Sequence, residues 1–277
     1  MEDETVSVSG SDSEFGWEKI TVHDEVTAER EREWADEIDR FRERIEDSED
    51  YDTEAEVFDV PTLKAVYKLV EDGYVEAVGA PVSTGKEANV FEADGEEGSV
   101  ALKIYRVATS NFRDMRDYFE GDPRFDGVKN DKKDTVIAWT KKEFSNLKRA
   151  EKAGVRVPSP IAVQRNVLVM EFIGRNEERA PTLREVSFEN PETAYEVVVE
   201  YMRRLYSAGL VHGDLSEYNI LVHEGDIVVI DVGQAVTVHH PNSRDFLERD
   251  CRNVARFFSS RGLNVDADAI LEDVTEA

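Results

Sequence analysis

The chain has 277 residues, of which 40% are hydrophobic and 34% charged, with a net charge of −27 and an acidic start, Met1-Glu2-Asp3-Glu4. No run of 18 apolar residues occurs, so a fibrous chain, a membrane-spanning helix and a secretory signal are all excluded as expectations, while one large core or two small ones remain open. Cys251 is the one cysteine, which excludes an internal disulfide framework or a cysteine-built zinc site and predicts a reducing, cytoplasmic setting.

Residues 1–56 read as an acidic, largely disordered extension, rich in Ser, Asp and Glu, with a polar helix predicted over residues 27–46. There Trp34, Ile38, Phe41 and Ile45 fall on one stripe at helical spacing. From Phe58 a folded pattern begins. Pro61 suits the first turn of a helix carrying Leu63, Val66, Tyr67 and Val70, and Gly73 ends it. Short apolar runs between residues 74 and 105, broken by Gly-rich turns, predict antiparallel strands. Residues 106–134 are charged with little periodicity and predict a mobile loop. A helix is predicted over residues 135–153, closed by Gly154, then strands at 161–163 and 167–173. Asn190-Pro191 predicts the cap and first turn of a helix running to Ala208. Strands follow at 220–222 and 227–231, and one or two helices from Pro241. Strands, helix, strands, helices, short strands and helices make a two-lobed α+β protein.

The segment His212-Gly213-Asp214-Leu215-Ser216-Glu217-Tyr218-Asn219 carries the strongest chemistry. An aspartate followed five residues later by an asparagine, ahead of an apolar strand, has the spacing of a phosphotransferase catalytic loop. The aspartate takes or orients a hydroxyl proton, and the asparagine offers a hard oxygen to magnesium. The bland alternative is a polar turn. Twelve residues on, Asp231 ends the run Ile227-Val228-Val229-Ile230 and precedes Val232-Gly233, the position of a second metal ligand or of a strand-ending cap.

Upstream, Ser83-Thr84-Gly85-Lys86-Glu87-Ala88-Asn89 fails as a Walker A loop, because position 80 is alanine and Glu87 follows Lys86. Its small and hydroxyl residues suit a hairpin covering phosphates with backbone N–H groups. Lys103, in Val100-Ala101-Leu102-Lys103, is costly inside an apolar strand unless paired, and Glu143 is the predicted partner; snorkelling from an edge strand is the alternative. Met170-Glu171-Phe172-Ile173 ends a strand in a linker whose backbone groups suit an adenine edge, or is plain core.

Together these residues resemble the RIO family of atypical protein kinases, and Ser-Thr-Gly-Lys-Glu-Ala-Asn-Val resembles its type-1 branch. The resemblance spans residues 57–263 and includes Phe58-Asp59, Thr62-Leu63 and Trp139-Thr140-Lys141-Lys142-Glu143-Phe144. It implies a two-lobed kinase-like domain over residues 57–277. The antiparallel small lobe would span about 74–170, the hinge 171–174 and a reduced helical large lobe 175–277. It implies a magnesium-dependent, non-specific serine/threonine kinase with ATPase activity, acting in maturation of the small ribosomal subunit through its particle, proteins or RNA. ATP would lie against Ser83, Thr84, Gly85 and Lys86, with Met170, Glu171 and Ile173 at adenine. Lys103 would hold phosphates and pair with Glu143, Asp214 would be the base, and Asn219 and Asp231 would bind Mg2+. Asp231 would also be able to take the phosphoryl group.

Only 46 residues follow Asp231, without Ala-Pro-Glu, which weakens a peptide-substrate reading, and Gly213 stands where ordinary kinases carry an arginine, so control by a phosphorylated activation loop loses its cation. Small-molecule kinases of the aminoglycoside or choline type share the catalytic-loop spacing, and a non-catalytic nucleotide-dependent assembly factor is the other alternative. The pair His239-His240 lacks supporting ligands for a metal. Residues 1–60 carry a net −17, the rest −10, and lysines number 12 against 22 arginines, which predicts a halophilic source. That field argues against nonspecific nucleic-acid binding at low salt, and no specific DNA binding is expected. Seven of the lysines (Lys129, Lys132, Lys133, Lys141, Lys142, Lys148 and Lys152) fall in one stretch, predicted either to dock RNA phosphates or to form a solvated helix face.

Overall fold

Asp59 opens the folded region: its carboxylate accepts from the N–H of Thr62 at 2.8 Å and caps α1 (Val60–Glu71). The computed structural model describes residue 20 and residues 58–96, 98–110, 112–175 and 178–276. Leu63, Val66 and Leu69, one stripe of α1, are buried against a five-stranded antiparallel sheet. Its strands are β1 (Ala77–Thr84), β2 (Ala88–Gly95), β3 (Gly98–Tyr105), β4 (Pro160–Gln164) and β5 (Val167–Glu171), in the order β1-β2-β3-β5-β4. Pro81 breaks the register of β1, which is tolerable only because β1 is an edge strand. β3 is the central strand. Lys103 therefore sits mid-sheet, and snorkelling from an edge is excluded.

Between β3 and β4 run α2 (Phe112–Asp117), a 3-10 turn (Pro123–Phe125) and α3 (Lys132–Lys152). The expectation of an unstructured loop over residues 106–134 is overturned here. Met115, Phe119 and Phe125 bury themselves with Tyr105, Val136 and Trp139 in a small core of their own. Arg124, 1% exposed, is held there by a forked pair with Asp122, Nη2 to Oδ2 at 2.7 Å and Nε to the same oxygen at 2.9 Å. Periodicity over the segment was hidden because its apolar residues belong to three short turns rather than one element. α3 also starts three residues before the predicted residue 135, where Asp131 accepts from Asp134 N. The N-terminal extension and its helix at 27–46 lie outside the described residues, apart from Ile20. That residue is 7% exposed, joins the same core and donates its N–H to Arg124 O at 2.9 Å.

The second lobe packs α4 (Pro191–Ser207), α5 (Ser243–Ser260) and α6 (Ala267–Thr275) around Val198, Met202, Val254, Phe258 and Ile270. Three two-stranded pieces complete this lobe: β6 (Gly174–Arg175) with β7 (Glu178–Arg179), β8 (Leu210–Val211) with β11 (Val236–Thr237), and β9 (Ile220–His223) with β10 (Asp226–Val229). Ile230 and Asp231 fall just beyond β10, although the apolar run predicted a strand to 231. Ile230 N–H still bonds Asn219 O at 3.0 Å in the register of the β9–β10 pair, and the backbone turns away at Asp231. Among the described residues no helix is long and apolar enough to cross a membrane.

Surface repulsion from −27 charges opposes a chain of this size unless counterions screen it. The thermal midpoint is accordingly expected to rise steadily from low-salt buffer to molar KCl. A flat midpoint across that series would show that the acid excess does not set the stability.

Candidate active site

A cleft of about 670 Å³ separates the sheet from the second lobe. Val82, Val90 and Ala101 form its roof, Leu221 and Ile230 its floor, which leaves a flat apolar slot wide enough for a heterocycle. Ser83, Gly85, Lys86, Lys103, Met170, Glu171, Ile173, Asn219 and Asp231 all line the cleft, as the sequence predicts. Thr84 and Asp214 do not. Thr84 stays in the β1–β2 ladder opposite Asn89, and Asp214 stands behind Asn219. Glu143 is 1% exposed and lies beneath Lys103.

Lys103 Nζ donates to Glu143 Oε1 at 2.7 Å and to Asp231 Oδ1 at 3.0 Å. Burial alone would lower the ammonium, but Asp231 and Glu143 together hold it well above its ordinary value. Lys103 in turn keeps the Asp231 carboxyl below the usual carboxylate range. The second oxygen of Glu143 accepts from Tyr105 Oη at 2.5 Å. Tyr105 was missed in the sequence because it reads as an ordinary strand aromatic.

The loop from His212 to Asn219 is built by its own side chains. Asn219 Nδ2 donates to Asp214 O at 2.9 Å and to Asp214 Oδ2 at 3.2 Å, so the amide oxygen is the end left to meet a hard cation. Burial raises the Asp214 carboxyl. His212 accepts from Asp214 N at Nδ1, and its Nε2 lies 3.1 Å from Ile230 O, an arrangement that fits the neutral ring with its proton on Nε2. Burial also lowers its pKa. Asp250 on α5 accepts from the N–H groups of Gly213 and Leu215, each at 2.8 Å, and burial pushes its carboxyl up to about 7. Gly213, at φ +78°, gives the loop its left-handed step.

At the hinge Arg156 forks onto Glu171, with both N–O distances 2.6 Å, so the Glu171 side chain is committed and only its backbone faces the cleft. Ile173 O accepts from Ala180 N at 2.8 Å. The β6–β7 hairpin thus anchors the linker by its carbonyl and leaves the N–H of Ile173 as the cleft-side donor.

Asp231 takes φ +59°, a left-handed conformation rare outside glycine, and the turn persists because residues 232–235 are clamped from α3. Lys142, fully buried, donates to Gly233 O at 2.7 Å and Ala235 O at 2.6 Å, and lies 4.8 Å from the Trp139 ring. Asn146 Nδ2 donates to Val232 O and Ala235 O, while its Oδ1 accepts from Arg124. Gly233 is closely packed: a Cβ there would lie 3.0 Å from Trp139 Nε1 and Tyr105 Oη, so those side chains would have to give by a few tenths of an ångström. One face of α3 therefore holds Lys103 through Glu143 and the turn after Asp231 through Lys142 and Asn146. This corrects the reading of Lys142 as part of an exposed lysine cluster. Lys132, which donates to Ala108 O, is also committed. His240 is buried too, with Nε2 2.9 Å from Asp117 O. Among the described residues no group of three or more His, Cys, Asp or Glu is placed to hold a metal.

Lys142→Met takes this donor from the buried carbonyl of Gly233 and leaves Ala235 O to Asn146 alone, and an unsatisfied buried group costs about 1–3 kcal/mol. We expect a lower thermal midpoint and a drop in kcat larger than any change in nucleotide affinity, with no rescue by Lys142→Arg, because the pocket has no spare volume. An unchanged midpoint and kcat in Lys142→Met would show that the clamp is idle.

Comparison with known proteins agrees with this geometry. Residues 89–270 match the model of the RIO domain. The chain is 57% identical over 279 residues to the RIO-type serine/threonine-protein kinase Rio1 of Haloferax volcanii, covering 99% of this chain and 96% of that one. It is 38% identical to the serine/threonine-protein kinase RIO1 of Caenorhabditis elegans over 87% of this chain, but spans only 48% of that longer relative. A crystal structure of the Rio2 kinase-ADP/Mg2+-phosphoaspartate complex from Chaetomium thermophilum superposes with a TM-score of 0.59 at 27% identity, over 78% of this chain and 67% of that one. With a lysine–glutamate pair under a five-stranded sheet, and an Asp-x₄-Asn loop facing a left-handed aspartate, the chain belongs to the RIO family.

Proposed function

We propose that the protein is an ATP- and magnesium-dependent serine/threonine kinase that also hydrolyses ATP. The observation that carries this reading is the meeting of Lys103, Asn219 and Asp231 at one end of an apolar slot whose other end offers the backbone of Glu171 and Ile173. Adenine would lie in the slot beside Met170, and the phosphates would run under Ser83, Gly85 and Lys86 toward Lys103. Thr84, outside the cleft, would contribute by shaping the hairpin.

A bound magnesium ion would neutralise the triphosphate, and the donor set suits it: the amide oxygen of Asn219 and the carboxylate of Asp231 are hard oxygens, and half of the Asp231 side chain is open to the cleft, at 49% exposure. Lys103 pairs with phosphate oxygens while Glu143 keeps it in place. Asp214 accepts the proton of an incoming hydroxyl. When no hydroxyl is present, a carboxylate oxygen of Asp231 attacks the γ-phosphorus as the bond to the bridging oxygen breaks and ADP leaves. That gives an acyl phosphate which water then hydrolyses. The phosphoaspartate named for the Chaetomium protein supports this second route. A role on precursors of the small ribosomal subunit follows from the family resemblance, with exposed Lys129, Lys133, Lys148 and Lys152 as basic contacts. A cytoplasmic setting fits the same role.

Asp231→Ala is expected to abolish both magnesium-dependent ATP turnover and hydroxylamine-labile phosphate on the protein. Asp214→Ala is expected to lower turnover by about 10²–10⁴-fold with little loss of nucleotide affinity. Asp214 works as a base only when ionised, and its raised pKa places the acid limb of the rate above the ordinary aspartate value of 3.8. Full turnover in either variant would remove that residue from the mechanism.

A further inference from the structure

Outside the cleft, a recess of about 460 Å³ opens beside the catalytic loop, lined by Arg184, Glu217, Arg256, Phe257, Ser260 and Arg261. Three guanidinium groups thus face one carboxylate, and that carboxylate stands 4.0 Å from Arg184. In a chain of net charge −27, a pocket with a local surplus of positive charge is an exception that calls for an anion.

The arginines are held in place. Arg261 donates to Val186 O at 3.2 Å and Arg184 O at 3.1 Å, and lies 5.0 Å from the Phe257 ring. Arg184 covers the Tyr218 ring at 5.2 Å, and Arg256 donates to Asn253 Oδ1 at 3.0 Å. Two carbonyls hold the Arg261 guanidinium, while Arg184 and Arg256 keep further N–H donors, a forked group that matches phosphoryl oxygens.

The recess is also fastened to the catalytic loop. Asn253 Nδ2 donates to Leu215 O at 3.0 Å, Arg184 N–H donates to Glu217 O at 3.2 Å, and Tyr218, 54% exposed, separates the recess from the nucleotide cleft that it also lines. An occupant would therefore sit within a few residues' reach of a hydroxyl presented to Asp214. A polyanion such as RNA would meet the acidic remainder of the surface, whereas a single phosphorylated side chain needs only the recess.

We propose that this recess is a phosphoryl-binding subsite for protein substrates, taking a phosphoserine or phosphothreonine side chain near the hydroxyl to be phosphorylated. The site would make the protein prefer substrates that already carry one phosphate, and it rests on the reading of the chain as a protein kinase.

The test uses the full chain in high-salt buffer with a labelled, degenerate nonapeptide library carrying a fixed central phosphoserine, the matching serine library, and a single-stranded RNA 12-mer. Fluorescence anisotropy needs no turnover. Wild-type protein should bind the phosphoserine library about tenfold or more tightly than the serine library, a difference of about 1.4 kcal/mol. The double variant Arg184→Ser/Arg256→Ser should erase that preference while leaving ATP binding and the thermal midpoint unchanged, since both side chains are exposed. Equal binding of the two libraries by wild type, a preference that survives in the double variant, or an RNA 12-mer that binds more tightly through the same arginines would each overturn the proposal. Phosphoserine preference without phosphoryl transfer to any peptide would uphold the subsite and count against the kinase reading alone.

Discussion

The Lys103 ammonium, locked between Glu143 and Asp231 in the middle of a sheet, is the interaction on which the rest of the site depends. A lone lysine at 7% exposure would be driven to neutrality by its surroundings. Two carboxylates reverse that, and each comes from a different part of the chain: Glu143 from α3, Asp231 from the turn after β10. The cation therefore joins sheet, helix and second lobe, and it keeps its charge while buried only because the protein itself solvates it. Removing either acid would leave a buried charge short of partners, which is costlier than never having built the pair.

Lys142 and Asn146 give that junction rigidity. The helix bearing Glu143 and the turn bearing Asp231 would be free to separate if only the ion pair connected them. Here four hydrogen bonds from α3 reach the carbonyls of Val232, Gly233 and Ala235, and the small core around Trp139 backs them. Tyr105 and Trp139 pack closely on Gly233, each 3.0 Å from where a Cβ would stand. The left-handed backbone of Asp231 is thus over-determined from behind, and strain at that residue is carried by contacts that never touch the nucleotide.

The sequence made the site's chemistry legible far better than its scaffolding. Lys103, Glu143, Asp214, Asn219 and Asp231 stand out because each is a polar residue at a position where the local pattern calls for something else: a lysine in an apolar strand, an aspartate after four β-formers. The small lobe was legible for the same reason, since period-two runs and glycine turns between residues 74 and 105 have few alternative readings. Arg124, Asp122 and Lys142 were not legible. Charged residues in a charged segment look like solvent-facing ones, and only tertiary packing shows that they are buried and mutually satisfied. Tyr105 and Asp250 were hidden differently, one as a plausible strand aromatic and the other as a helix acid among many. The hydrogen bonds that give each its role reach residues more than thirty positions away.

The distribution of arginine ties these features to the acidic surface. Two lysines are buried among oxygens: Lys103 as a cation between two carboxylates, and Lys142 as a donor to two backbone carbonyls, its pKa driven down by burial. Arginine is used where a plane and several donors are needed at once, as in the forks of Arg124 on Asp122 and Arg156 on Glu171. In both cases a carboxylate fills the fork. Around the recess beside Tyr218 that rule lapses, because Arg184, Arg256 and Arg261 are oriented by carbonyls, an amide and aromatic rings, and Glu217 comes no nearer to Arg184 than 4.0 Å. A surface with acids to spare has left these forks unfilled. That is the arrangement expected where the anion comes from a binding partner, because a resident carboxylate would have to be displaced before any phosphoryl group could enter.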